Sequence, residues 1–183
     1  MEYACVNNNL EVLKKLTECK GDVTQINNNE ENLLCSHLTK NCNKELVMYL
    51  IENKCELNIT DVNSTPFSPF MVSCRNKDSS PEFLNFLIDL KANPNFINRD
   101  DQNSLHFFCD SVFNSKDQRN FDIFKYLVSS TPDIDSLDAF SNSALLYCAK
   151  FRPNEYTQYL IEKGSNRIGD ALLGYIESDN PTG

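Results

Sequence analysis

The chain has 183 residues, 40% of them hydrophobic, enough to bury an interior in one domain or two. Its 26 Asp and Glu against 17 Lys and Arg leave a formal net charge of -9, a field that repels phosphate backbones and anionic membranes. Basic residues stand singly or in small groups such as Lys14-Lys15, without the clustered stripe of a nucleic-acid footprint, so nucleic acid is excluded as the expected partner.

In chain order, Met1-Glu2-Tyr3-Ala4-Cys5 opens the polypeptide and Leu16-Thr17-Glu18 closes a first apolar helical stretch. Asn27 to Glu31 is a polar turn, and Leu50-Ile51-Glu52 closes the next stretch. Thr65-Pro66-Phe67-Ser68-Pro69 stiffens a turn that carries roughly two extra residues and leads into Ser68-Pro69-Phe70-Met71-Val72-Ser73-Cys74. A second helix runs from Phe83 to Ile88. Asn98 to Gln102 is again a polar turn, Ser104 to Cys109 an apolar stretch with a capping Ser or Asn before it, and Phe121 to Val128 a more hydrophobic helix. Thr131-Pro132-Asp133-Ile134-Asp135 ends that helix; Ser136 to Asn142, Ser143 to Ala149 and Tyr156 to Ile161 repeat the order turn, helix, helix.

The leucines Leu16, Leu50, Leu87, Leu127 and Leu160 that anchor the second helices are 34, 37, 40 and 33 residues apart. That period, with a fixed order of parts inside it, predicts an all-α helical solenoid. A tetratricopeptide array has a similar period but no polar turn between its repeats.

Ser68-Pro69-Phe70-Met71 and Ser104-Leu105-His106 are degenerate forms of the signature T-P-L-H-x-A, and on them the chain resembles the ankyrin repeat, a β-turn finger plus two antiparallel helices. Asn7 to Leu16 resembles the inter-helix turn and second helix of that family, and Gly21-Asp22-Val23 and Ala92-Asn93-Pro94-Asn95 its exit segment. The resemblance implies a single domain over 1–177 with a partial N-terminal repeat at 1–26 and four full repeats at 27–58, 59–95, 96–135 and 136–166. A capping helix at 167–177 and a disordered tail at 178–183 complete the expectation. The first repeat is expected to lack its turn and most of its first helix. A column of small residues, Cys5, Leu38, Cys74, Cys109 and Ala149, lets the first helices stack and supplies a packing reason for three of the eight cysteines.

No pattern demands chemistry. His106 occupies the signature position, where the family's imidazole bonds to the backbone of the adjacent turn; His37, beside the small column, needs a polar partner. Cys35 and His37 point to different helix faces, and no second ligand pair is at hand, so no metal is expected. Without a C-x-x-C pair or a secretory leader, disulfides are not expected, and Asn58-Ile59-Thr60 and Asn63-Ser64-Thr65 are read as chance glycosylation matches. Gly occurs only five times and no phosphate-cradling motif is present. No cofactor and no enzymatic activity are expected.

The expected function is non-catalytic protein recognition by a monomeric, cytoplasmic module, without membrane insertion. The alternative is a regulatory or targeting module of a larger signalling protein, such as a kinase, a small-GTPase regulator or an adaptor, making intramolecular contacts. The resemblance implies a concave contact surface of fingers and first-helix ends. On the fingers it comprises Ser64, Thr65, Phe67, Arg99, Asp100, Gln102, Ala139, Phe140 and Asn142; on the helix ends Arg75, Asn76, Asp110, Ser111, Lys150 and Phe151. Asp61, Asp100, Asp101, Asp110 and Asp138 would make it negative and suit a partner with a basic segment. Phe140 and Phe151 have little reason to be buried, whereas the aromatic residues of the second helices, at i, i+3 spacing, are expected in the core.

Overall fold

The computed structural model describes residues 1–58, 67–110, 118–151 and 154–179, the side chains at 118–120, 175 and 177–179 excepted. It comprises two compact halves, Met1–Arg99 and Asp100–Gly183.

The N-terminal half holds α1 (Glu2–Val6), α2 (Leu10–Glu18), α3 (Leu33–Leu38), α4 (Lys44–Glu52), α5 (Pro69–Cys74) and α6 (Pro81–Asp89). The first helices α1, α3 and α5 lie side by side, and each second helix folds back on its own first helix. Every residue of α3 and α5 is buried; α3 lies between α1 and α5 with α4 behind it, and α5 lies against α3 with α6 behind it. α2 exposes all but Leu13 fully or partly, as its amphipathic pattern demands. At five residues α1 is only one shorter than α3 and α5, so the first repeat retains nearly its whole first helix. It starts without a polar cap, on bonds from the Ala4 and Cys5 amides to the Met1 carbonyl.

The abundance of asparagine has a mechanical explanation. Asn9, Asn32 and Asn43 cap α2, α3 and α4 through their side-chain oxygens, with Ser68 and Ser80 doing the same for α5 and α6. Asparagines also tie one repeat to the next. The Asn41 carboxamide donates to the Val6 carbonyl at 2.9 Å, and Asn76 to the Leu38 carbonyl at 2.6 Å. Each fills an acceptor that the last turn of a helix leaves unpaired.

Each second helix of this half ends on a lysine in the left-handed region: Lys20, Lys54 and Lys91, at φ 65°, 72° and 73°. At Lys54 the amide bonds to the Ile51 carbonyl and the next amide to Leu50; the same pair recurs at Lys20 and Lys91. This Schellman geometry favours glycine, since a Cβ there meets the following carbonyl. Lys54→Gly and Lys91→Gly are each expected to raise unfolding free energy by about 0.5–1 kcal/mol. Lys91→Ala, which keeps the strain, should leave the denaturation midpoint nearly unchanged.

The C-terminal half holds α7 (Ser104–Cys109), α8 (Gln118–Ser130), α9 (Ala144–Phe151), α10 (Asn154–Glu162) and α11 (Ile168–Asp179). α9 lies between α7 and α11, with α8 and α10 behind as the second layer. α8 runs three residues beyond the expected Phe121 start, and α11 continues to Asp179, taking in Ser178 and Asp179 from the expected tail.

Phe124 and Tyr156 are buried with ring centroids 4.8 Å apart, and Phe121 meets Tyr156 edge-on at 5.0 Å and Tyr159 at 5.7 Å. Phe83 is likewise buried in the N-terminal half, while Phe86, Phe121, Tyr126 and Tyr159 are half-buried. The second-helix aromatics therefore build the interior, the outermost keeping one side in water.

Candidate partner-binding surface

Two finger turns show the same local device, one in each half. An isolated β-bridge pairs Ile26 with Asn32 and another pairs Leu137 with Ser143. Within the first, the Asn27 side-chain oxygen accepts from the amides of Asn29 and Glu31 at 2.9 and 3.0 Å. Within the second, Asp138 Oδ1 accepts from Phe140 and Asn142, both at 2.9 Å. The fourth position has positive φ in both, at Glu30 (62°) and Ser141 (61°). A short polar side chain thus folds the loop over itself and makes its tip rigid.

In the C-terminal half the result is a projecting ring. Phe140 is 68% exposed at the tip, and the neighbouring Ala139 amide bonds at 2.9 Å to the Asp100 carbonyl. Below it lies a polar network that the sequence did not single out. The Tyr147 hydroxyl donates to Asp138 Oδ2 at 2.5 Å and accepts from Asn142 Nδ2 at 3.2 Å. Burial, reinforced by the Asp138 carboxylate that accepts its proton, pushes the Tyr147 phenol up to about 12, so it stays a donor at neutral pH. Tyr147 stacks on Phe151 with centroids 6.3 Å apart, and the Lys150 ammonium lies 5.7 Å over the Phe151 ring. Asp110 is half-buried at the C-cap of α7.

His106 anchors the base of this side. Its Nε2 lies 2.8 Å from the Ser136 carbonyl and its Nδ1 accepts from the Asn103 amide at 3.4 Å, so the neutral ring donates through Nε2. Burial holds its pKa below the usual histidine value, against the opposing hydrogen bond to Ser136. The backbone bond expected for this histidine is present. His37 finds its partner in the Cys5 carbonyl, 2.9 Å from Nδ1, and burial lowers its pKa too.

The expected contact residues fall into distinct environments. Phe140, Ala139 and Arg99 are exposed; Phe67, Arg75, Asp100, Asp110, Asn142, Lys150 and Phe151 are half-buried. Arg99, in the N-terminal half, forms an ion pair with Glu30 at 3.4 Å with both side chains about half exposed, a contact of little energetic weight. Asn76 and Gln102, 3% and 6% exposed, face the scaffold instead of solvent. Phe151 leans on Tyr147, so it is less free than its position in sequence suggests. Asp138 is buried, its carboxyl oxygens accepting from the Phe140 and Asn142 amides and the Tyr147 hydroxyl, so it supports the finger from within. Ser64, Thr65, Ser111 and Asp61 lie outside the described residues.

Of chemistry-bearing groups, no cluster of three or more His, Cys, Asp or Glu positioned for a metal ion occurs among the described residues. No helix among them is long and apolar enough to cross a membrane.

Paired antiparallel helices, stacked on their neighbours and separated by β-bridged turns, define a helical repeat protein. A family model described as ankyrin repeats, spanning three copies, matches residues 1–98 and again 70–170. The chain belongs to the ankyrin-repeat family. Domains of this family are generally non-catalytic and bind other proteins. Among curated proteins none matches the chain.

Proposed function

We propose that the chain recognises a protein partner through its fingers and first-helix ends and carries out no catalysis. The observation that supports this most is Phe140: a large apolar ring 68% exposed on a loop whose backbone is held by a buried carboxylate. Leaving such a ring in water has a cost that binding recovers, and a rigid loop loses little entropy when it docks. Ala139 and Asn142 lie on the same finger, and Lys150 and Phe151 stand at the end of α9 in the same half. In the N-terminal half Phe67, Arg75 and Arg99 are the corresponding contact residues, with Asn76 there and Gln102 in the C-terminal half acting as supports.

Asp100, Asp101 and Asp110 outweigh Lys150 among the charges of the C-terminal half's finger side, so the partner presents a basic segment. Affinity capture from native extract tests the reading. Phe140→Ala is expected to weaken the captured partner about tenfold with an unchanged melting temperature. Asp100→Lys and added salt are expected to weaken it further. Equal capture by both variants would refute this surface, and insensitivity to ionic strength the basic partner.

A further inference from the structure

The buried thiols of this chain are not all alike. Cys35 Sγ donates to the Phe67 carbonyl at 3.7 Å and Cys74 Sγ to the Phe70 carbonyl at 3.2 Å, each engaging backbone. Cys148 Sγ lies 3.2 Å from Cys109 Sγ, sulfur against sulfur. Cys109 is the last residue of α7 and Cys148 lies within α9, the helix packed beside it. Neither is in a disulfide, and both are 0% exposed.

We propose that Cys109 and Cys148 form a peroxide-sensitive dithiol whose oxidation staples α7 to α9. A disulfide holds its sulfurs at about 2.05 Å, so closure needs an approach of only about 1 Å between two helices already in contact. The first step breaks the O–O bond of hydrogen peroxide: one sulfur takes an oxygen to become a sulfenic acid, and water leaves. The second sulfur then attacks it, the S–O bond breaks, the S–S bond forms, and a second water departs with the remaining thiol proton. Two thiols and one peroxide thus give one disulfide and two waters, the two electrons passing from sulfur to oxygen.

Burial decides which oxidant serves. A thiol closed in an apolar interior is inert, so oxidation proceeds through local openings of the packed helices, in which a thiolate forms and a small neutral peroxide reaches it more readily than a bulky disulfide does. The neighbouring thiol intercepts the sulfenic acid before a second peroxide can. Because the two cysteines are 39 residues apart in sequence, the cross-link closes a long loop in the unfolded chain and raises stability.

The whole chain is treated with hydrogen peroxide near neutral pH, quenched, alkylated and mapped as peptides without reductant. A Cys109–Cys148 cross-linked peptide is expected ahead of any other pair, with a melting temperature higher by roughly 5–10 °C that dithiothreitol reverses. Cys109→Ala and Cys148→Ala should each abolish both the cross-link and the shift. Sulfinic acid at either position without a cross-link overturns the proposal; so does a cross-link that forms only in denaturant. The wild-type map decides the matter even if a variant fails to fold.

Discussion

Replacing Asp138 by alanine is expected to lower the unfolding free energy by about 3 kcal/mol, a large fraction of the stability of a domain this size. The side chain is 5% exposed and accepts three hydrogen bonds, from the Phe140 and Asn142 amides and from the Tyr147 hydroxyl. Alanine leaves the phenol, 7% exposed, without its acceptor, and frees two turn amides. Asp138→Asn keeps one oxygen for the amides and should cost about 1 kcal/mol. Tyr147→Phe removes a hydroxyl that donates to Asp138 and accepts from Asn142, and should cost about the same. Urea unfolding of these variants and of the Asp138→Ala, Tyr147→Phe double variant measures the coupling directly. The double variant is expected to lose less than the sum of the two single losses. Strict additivity would mean that the short phenol–carboxylate bond contributes nothing. Because the same carboxylate folds the loop beneath Phe140, Asp138→Ala should also weaken partner capture, whereas Phe140→Ala weakens capture alone.

How much of this was visible in the residue string follows from the range of each interaction. The period survived in the anchor leucines because four of the five are seated in the interior of their own repeats; Leu50, Leu87 and Leu160 are fully buried and Leu127 is 1% exposed, whereas Leu16, in the first repeat, is 37% exposed. The small column was legible for the same reason, and Cys5, Cys74 and Cys109 are all buried in it. His106 was legible because the repeat pattern sets both of its partners, a capping amide three residues before it and the turn of the following repeat, 30 residues on.

The Asp138–Tyr147 pair was not, although only nine residues separate its members. Its geometry depends on the finger curling back over the start of α9, and nothing in periodicity encodes that. Asn76 was assigned to a partner for a related reason. A polar residue just after a first helix suits a docking surface and suits equally an acceptor 38 residues away, and only the packed repeats show that Leu38 has a carbonyl in need. The cysteine pair hid in the column that explained its members one at a time. Stacking was expected of Cys109, but the distance of its sulfur from that of Cys148 depends on helix rotation that no spacing rule reaches.

Gly174→Val is expected to separate α11 from α9 and to cost about 2–3 kcal/mol. A Cβ at Gly174 would stand 2.7 Å from Ala149 Cβ, 3.0 Å from the Leu146 carbonyl oxygen and 3.3 Å from the Lys150 amide nitrogen. Two of these are backbone atoms of α9 and cannot yield without bending a helix that α7 and α10 also hold. The glycine is therefore a packing requirement, accepted despite its poor helix propensity. Detachment would expose Ala171, 4% exposed in place, and draw Asp170 away from the Ser143 hydroxyl that donates to it at 2.6 Å. Leu172, Leu173 and Ile176, already 62%, 56% and 63% exposed, would offer no alternative seat, since they face away from α9. Hydrogen exchange should show the amides of α11 losing protection first, with those of α9 following as their cover is removed. Gly169→Ala is the control: it lies in the same helix with open space around it, and should leave stability within about 1 kcal/mol of the parent. If the valine variant unfolds at the parent's midpoint with α11 still protected, the close seating of the last helix does not hold the end of the stack.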